Sequence, residues 1–260
     1  MTHPWFAGST RPRVLAHRGL VTAAAAAHGV AENSFAAVAE AHAAGAAYVE
    51  SDCHLTADGV VVLFHDADLG RVTGDPRPIA DVASAELEDL MADRGGLITL
   101  AQALDAFPTL RFNFDVKAAP AAAPAGRIVA PHADRVLLTS FSDSRRRAAL
   151  AAAHAAGGSP ATSAGSSTLA RVLAGAAAHS GRVLDRVLRG IDALQVPERR
   201  GALKIVTRGL LEAAHRRDVE VHVWTVNDPA DMRRLLDLGV DGLVTDRADL
   251  ALEIAADRDR

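Results

Sequence analysis

Cysteine is nearly absent. Cys53 is the single one in 260 residues, which excludes an intramolecular disulfide and a thiolate metal cluster. A reducing compartment fits that usage, and one cysteine is equally compatible with export. Aromatic residues are scarce at 4%, so alanine carries much of the 49% apolar fraction. That balance favours helix and leaves less buried area per residue. Long apolar runs are missing too. Ala23 to Ala27 is cut off by His28 and Gly29, far short of the roughly 18 apolar residues of a membrane span. The opening stretch, Met1 to Phe6, has no basic region followed by an apolar core, so no signal peptide is expected and the cytoplasm is the expected location. No charge of one sign dominates: the net charge is −4. Nothing here recommends nucleic acid as a partner or stable insertion into a membrane.

What is present is alternation. Short β-branched runs interleave with alanine- and leucine-rich helical stretches, the pattern of βα units around a parallel sheet. Eight strand candidates can be read: 14–16, 48–52, 111–116, 136–139, a weak one near 161–163, 193–196, 219–226 and 242–245. Helical stretches lie between them at 34–44, 100–106, 142–155, 169–178, 207–217 and 229–238. The chain length matches the roughly 250 residues of a TIM (β/α)₈ barrel. No linker or internal repeat is visible, so one α/β domain over residues 1–260 is expected. Thr56-Ala57-Asp58-Gly59 signals a tight turn, extending the second strand into a hairpin. The stretch 68–96 reads as an irregular excursion. Residues 157–168 and 178–190, rich in Gly, Ser and Arg, read as surface loops.

Barrel enzymes place their chemistry at the C-terminal ends of the strands. There the chain carries His17-Arg18, Glu50-Ser51-Asp52, Asp115-Val116-Lys117, His65-Asp66, Trp224-Thr225 and Thr245-Asp246. Residues two apart on a strand share a face, so Glu50 and Asp52 point the same way. Facing the helices they would be buried without partners, which is costly, so the barrel mouth is the expected location. Asp115 on a neighbouring strand could complete an all-oxygen set suited to a hard cation, Mg²⁺ or Ca²⁺. The alternative is that Arg18 and Lys117 neutralise these carboxylates. His17 and His65 titrate near working pH and are candidate acid and base. Arg18 and Lys117 are candidates for holding phosphoryl oxygens, and Trp224 for an apolar wall. His54 shares the face of Asp52 and is expected at the rim, whereas His42, His154, His179 and His215 read as surface residues.

The ordered set His17-Arg18-Gly19, Glu32-Asn33-Ser34, Glu50-x-Asp52, His65-Asp66 and Asp115-x-Lys117 resembles the glycerophosphodiester phosphodiesterase family. The likeness continues through Ser140-Phe141, through 223–227 and through 239–246, covering nearly the whole chain. It implies a TIM barrel with an insertion after strand two, here about 55–96. It implies hydrolysis of a glycerophosphodiester to glycerol 3-phosphate and an alcohol. It also implies a divalent cation on Glu50, Asp52 and Asp115, with Glu32 close by. His17 and His65 would be the acid–base pair, with Arg18 and Lys117 on the phosphate. Many members carry Glu where this chain has Asp115, and the insertion here is arginine-rich, with Arg71 and Arg77. Two rival readings define tests. Cleavage of a bulkier lysophospholipid would need an apolar rim, against which the aromatic-poor mouth argues. A Schiff base on Lys117, as aldolases form, would be supported by borohydride trapping with a carbonyl substrate.

Overall fold

The alternating runs fold as staves and struts of one barrel, in a computed structural model that describes residues 3–7 and 12–258. The strands are β1 Arg13–His17, β2 Tyr48–Leu55, β3 Val61–Leu63, β4 Arg111–Val116, β5 Val136–Thr139, β6 Ala193–Pro197, β7 Arg199–Arg200, β8 Leu203–Lys204, β9 Glu220–Trp224 and β10 Gly242–Thr245. The α-helices are α1 Ala23–Ala27, α2 Phe35–Ala43, α3 Gly70–Thr73, α4 Ser84–Met91, α5 Leu100–Ala106, α6 Ala122–Val129, α7 Asp143–Ala155, α8 Ser166–Ala177, α9 Gly181–Val187, α10 Arg208–His215, α11 Pro229–Leu238 and α12 Ala248–Arg258.

Seven strands lie in the order β5-β4-β2-β1-β10-β9-β6, with every neighbouring pair parallel. The weak candidate near 161–163 is the eighth stave. It forms only single bridges, Leu137 to Ala161 and Ser163 to Ala193, both parallel. Its backbone still closes the gap: Leu138 N–H donates to Ala161 O at 2.8 Å, and Asp192 N–H donates to Thr162 O at 2.9 Å. The fold is a TIM-type barrel.

Side chains alternate between two cores, as a pleated strand requires. On β1, Val14 and Ala16 join the layer between strands and helices, while Leu15 joins the lumen. On β2, Val49 and Cys53 face outward and Tyr48 inward. The lumen floor is plugged by the 3₁₀ turn Pro4–Phe6, whose Trp5 is fully buried and donates Nε1–H to Phe112 O at 2.9 Å. Arg13, Glu220, His222 and Tyr48 add a buried polar layer there, with Arg13 Nε 2.6 Å from Glu220. The next residues inward on β2, two and four beyond Tyr48, are Glu50 and Asp52.

Three expectations are corrected. The excursion 68–96 is ordered: α3, α4 and two 3₁₀ turns close over a small core that includes Phe64, Leu69, Ile79, Leu87 and Met91. Its apolar residues come from several short elements, so no single helical or strand period reveals them. The stretch 178–190 is not a loop, since it holds α9, whose Leu184 is buried together with Leu188 at the helix C-cap. Helix α8 starts at Ser166, inside the expected 157–168 loop. Its capping acceptor is remote: Asp143 Oδ2 takes the backbone N–H of Ser167 and of Thr168, each at 3.0 Å.

Candidate active site

A cavity of about 890 Å³ opens at the C-terminal ends of the strands, and its wall contains eight of the nine residues named from the sequence. They are His17, Arg18, Glu50, Asp52, His65, Asp115, Lys117 and Trp224. Glu32 stands off the wall. Its Oε1 accepts from Arg18 and from Arg71, each at 2.6 Å.

Strand register assembles the acidic floor. β2 pairs with β4 so that Glu50 faces Asn113 and Asp52 faces Asp115. Phe112 and Phe114 alternate with them, stack at 5.0 Å on the outer face and hold the inner pair toward the lumen. Glu50, Asp52 and Asp115 are only 8%, 1% and 4% exposed. Asp52 is well compensated: Lys117 Nζ lies 2.9 Å from Oδ1, Arg18 Nε is 3.2 Å from Oδ2, and Asn33 Nδ2 donates to Oδ2 at 3.1 Å. Arg18 Nε is an ion-pair neighbour without hydrogen-bond alignment. Lys117 also donates to Asp115 Oδ2 at 2.7 Å.

Three buried acceptors on this floor have no hydrogen-bond partner: Glu50 Oε2, Asp115 Oδ1 and Asn113 Oδ1. Burial, reinforced by the Asp52 and Asp115 charges, pushes the Glu50 carboxyl well above the usual range. Burial also raises Asp115, against the pull of Lys117. A floor of unpaired oxygens that resists ionisation is one that a proton or a cation would stabilise. All the donors are hard oxygens, which fit Mg²⁺ or Ca²⁺. Among the described residues no three His, Cys, Asp or Glu side chains converge as a ready-made metal cage. The reason is visible in the ion pairs, because the Lys117 ammonium sits between Asp52 and Asp115.

The two histidines stand at the floor's edges. His17 ends β1 and is adjacent to Glu50 through the β1–β2 register. Its Nδ1 donates to Asp246 Oδ1 at 2.6 Å, leaving Nε2 3.9 Å from Glu50. The hydrogen bond from His17 holds the Asp246 carboxyl below the usual range, so it is ionised at neutral pH. Asn227 Nδ2 donates to the other Asp246 oxygen at 2.7 Å. His65 repeats the arrangement, with Nδ1 on Asp66 Oδ1 at 2.7 Å. Burial opposes ionisation of Asp66, but donors from His65 and Arg71 hold it low. Arg71 reaches from the insertion to Asp66 and Glu32, and so braces both sides of the mouth.

The turn after β1 aims Arg18. Its φ is +58° and that of Gly19 is +86°, both left-handed. A Cβ on Gly19 would lie 2.6 Å from the Ala37 backbone, so only glycine lets the turn lie against α2. Trp224 lines the cavity, edge-on to Phe141 at 5.6 Å. His54 does not line the cavity. It donates Nε2–H to the His65 carbonyl at 3.1 Å, and burial keeps its imidazole below the usual range. Sequence reasoning passed over Asn113 and the roles of Asp66 and Asp246. Asn113 carried a usable signal, being two residues before Asp115 on one face.

The model of the glycerophosphoryl diester phosphodiesterase family matches residues 17–250.

The chain belongs to the glycerophosphoryl diester phosphodiesterase family.

A Mycobacterium tuberculosis protein named "Probable glycerophosphodiester phosphodiesterase 2" is 35% identical over 244 residues, spanning 92% of this chain and 89% of the relative. The crystal structure of a glycerophosphodiester phosphodiesterase from Thermotoga maritima superimposes with TM-score 0.73 at 24% identity, covering 95% of this chain and 100% of that one. An Oleispira antarctica phosphodiesterase, solved with the product sn-glycerol-3-phosphate, gives TM-score 0.70 at 22% identity, covering 93% and 96%. As a family member the chain is a hydrolase of phosphoric diesters. No helix among the described residues is long and apolar enough to cross a membrane.

Proposed function

We propose that this chain hydrolyses glycerophosphodiesters to glycerol 3-phosphate and an alcohol, with His17 and His65 moving protons beside a divalent cation. The observation that carries this reading is the arrangement of side chains at the mouth. Two imidazoles, each tied through Nδ1 to a carboxylate, flank a floor of unpaired buried oxygens.

A carboxylate on Nδ1 fixes the tautomer, so each ring offers Nε2 to the cavity. One neutral ring takes the proton of the attacking oxygen, and the other, as imidazolium, gives one to the leaving alkoxide. Asp246 and Asp66 stabilise whichever ring carries the charge. Arg18 and Lys117 hold phosphoryl oxygens and offset charge as it builds there. Trp224 walls off one side. Glu50, Asp52 and Asp115, with Asn113 Oδ1, would hold Mg²⁺ or Ca²⁺, which when bound supplies Lewis-acid stabilisation of the phosphoryl group. That cation would compete with Lys117 for Asp52 and Asp115.

The Schiff-base alternative fails on Lys117 itself. Burial works to lower its pKa, but the Asp115 and Asp52 charges outweigh it and raise it above the usual lysine range. A protonated amine has no lone pair to attack a carbonyl.

The test is release of glycerol 3-phosphate from a panel of glycerophosphodiesters with different alcohols, for the wild type and for His17→Gln and His65→Gln. Each variant is expected to keep its melting transition and lose about 10²–10⁴ in turnover. A variant near full rate would remove that imidazole from the mechanism.

A further inference from the structure

The two histidines are supported differently. Asp246, the carboxylate behind His17, follows β10, and the β1–β10 ladder sets it beside the ring. His65 and Asp66 lie instead in the bend after β3, outside any strand. His54 steadies the backbone there by donating to the His65 carbonyl at 3.1 Å. The Asp66 carboxylate needs another hold, and Arg71 supplies it. Arg71 Nε donates to Asp66 Oδ2 at 2.6 Å, while His65 Nδ1 donates to Oδ1 at 2.7 Å.

The same guanidinium reaches a second carboxylate. Arg71 Nη2 donates to Glu32 Oε1 at 2.6 Å, and that oxygen also accepts from Arg18 Nη1 at 2.6 Å. His65 and Arg18 line the cavity, whereas Asp66, Glu32 and Arg71 stand behind its wall. One side chain thus joins the partner of a proton-moving group to the partner of a phosphate-holding group.

The frame beneath Arg71 holds it still. Leu69, just before α3, is fully buried in the core of the insertion. Arg94 closes the other side, its Nε donating to Val72 O of α3 at 2.8 Å. The Arg94 carbonyl in turn accepts the N–H of Ala31, next to Glu32 in the chain, at 2.9 Å. Arg94 therefore ties the helix that carries Arg71 to the segment that carries Glu32. Such support keeps a functional constellation in one geometry. Stability alone explains little of this, because the Arg71 side chain is half exposed and exposed ion pairs contribute little.

The geometry points to Arg71 as a positioning residue for the reaction, setting the His65 ring through Asp66 and the Arg18 guanidinium through Glu32. This rests on the roles given to His65 and Arg18 above and adds the residue that places them. Arginine suits the task because its planar fork presents Nε–H and Nη2–H in two fixed directions. A lysine ammonium on a flexible stem offers no such pair.

The experiment measures kcat, KM and the melting transition for Arg71→Ala and Arg71→Lys, with a simple glycerophosphodiester as substrate. Arg71→Ala is expected to lose about ten- to a hundred-fold in kcat, the cost of misplacing a catalytic group from a distance. KM should change little, since Arg71 does not line the cavity, and the melting transition should hold. Arg71→Lys should fall between. Guanidinium ion, added well below denaturing concentration, should restore part of the Arg71→Ala rate. In an Asp66→Ala background, Arg71→Ala should cost far less than it does alone, because its effect passes chiefly through Asp66.

Near wild-type kcat in Arg71→Ala would overturn the assignment. So would a raised KM at unchanged kcat, which would put Arg71 on the substrate, or a loss fully additive with Asp66→Ala. A lost rate matched by a fallen melting transition and unmoved by guanidinium would reduce Arg71 to a structural brace. Full rate in His65→Gln would instead overturn the acid–base reading on which the assignment rests.

Discussion

Asp246→Asn should cripple the enzyme more than Asp246→Ala, although it is the smaller change. In the wild type Asp246 Oδ1 accepts from His17 Nδ1 at 2.6 Å, and Oδ2 accepts from Asn227 Nδ2 at 2.7 Å. Asn227 Oδ1 meanwhile accepts the Asp246 backbone N–H at 2.9 Å, which fixes the orientation of its own amide. An asparagine at 246 would therefore turn its oxygen to Asn227 and its NH₂ to His17. Nδ1 must then accept, which puts the proton of the neutral ring on Nε2 and removes the acceptor that an imidazolium's Nδ1–H needs, so the ring is impaired as base or as acid. A hydrogen bond to a charged group contributes about 1.5–3 kcal/mol. The Asp246 side chain is half exposed, so water screens part of this. A loss of about ten- to a hundred-fold in kcat/KM is expected, at about 1.4 kcal/mol per factor of ten. Alanine leaves space for water to accept from Nδ1–H, which keeps the tautomer and loses less. The assay is glycerol 3-phosphate release, with the melting transition as a control on folding. Asp246→Asn within two-fold of wild type, or Asp246→Ala slower than Asp246→Asn, would refute the tautomer argument.

Other outcomes follow from the barrel floor and the helix layer. Glu220 is buried, which alone would raise its pKa, but donors from Arg13 and His222 hold it at about 2 against an ordinary 4.5. A depressed carboxyl contributes stability that is present above pH 4.5 and lost as pH falls toward 2, on the order of 3 kcal/mol in all. The melting temperature should drop across that window, and Glu220→Gln should flatten the drop while lowering stability at neutral pH. At Gly126 a Cβ would come 2.1 Å from Ala149 O, where α6 crosses α7. Gly126→Ala is expected to destabilise by about 1–3 kcal/mol in urea unfolding, and an unchanged midpoint would show that the two helices part easily.

Most of the fold was legible because its signals are local. Strand alternation and turn residues located the seven staves within a residue or two, except at the end of β2, expected over 48–52 and observed as Tyr48–Leu55. Segment 161–163 was faint in sequence and is faint in structure, since it holds its place by single bridges rather than a ladder. The start of α8 was hidden because its cap, Asp143, lies 24 residues upstream of Ser167. At the site, Glu50 and Asp52 were legible from the two-residue period of one strand. The pairing of His17 with Asp246 was not. Those residues are 229 apart, and only closure of the barrel, which sets β1 beside β10, brings them together.

The central claim joins the histidine pair to a cation on the acidic floor. It is tested most directly by assaying glycerol 3-phosphate release after exhaustive chelation, then during titration with Mg²⁺ or Ca²⁺. The account predicts loss of turnover on chelation and its recovery with added cation, as the ion displaces Lys117 from Asp52 and Asp115. Undiminished hydrolysis by the chelated enzyme would contradict it and would leave the Lys117 and Arg18 charges to neutralise those carboxylates.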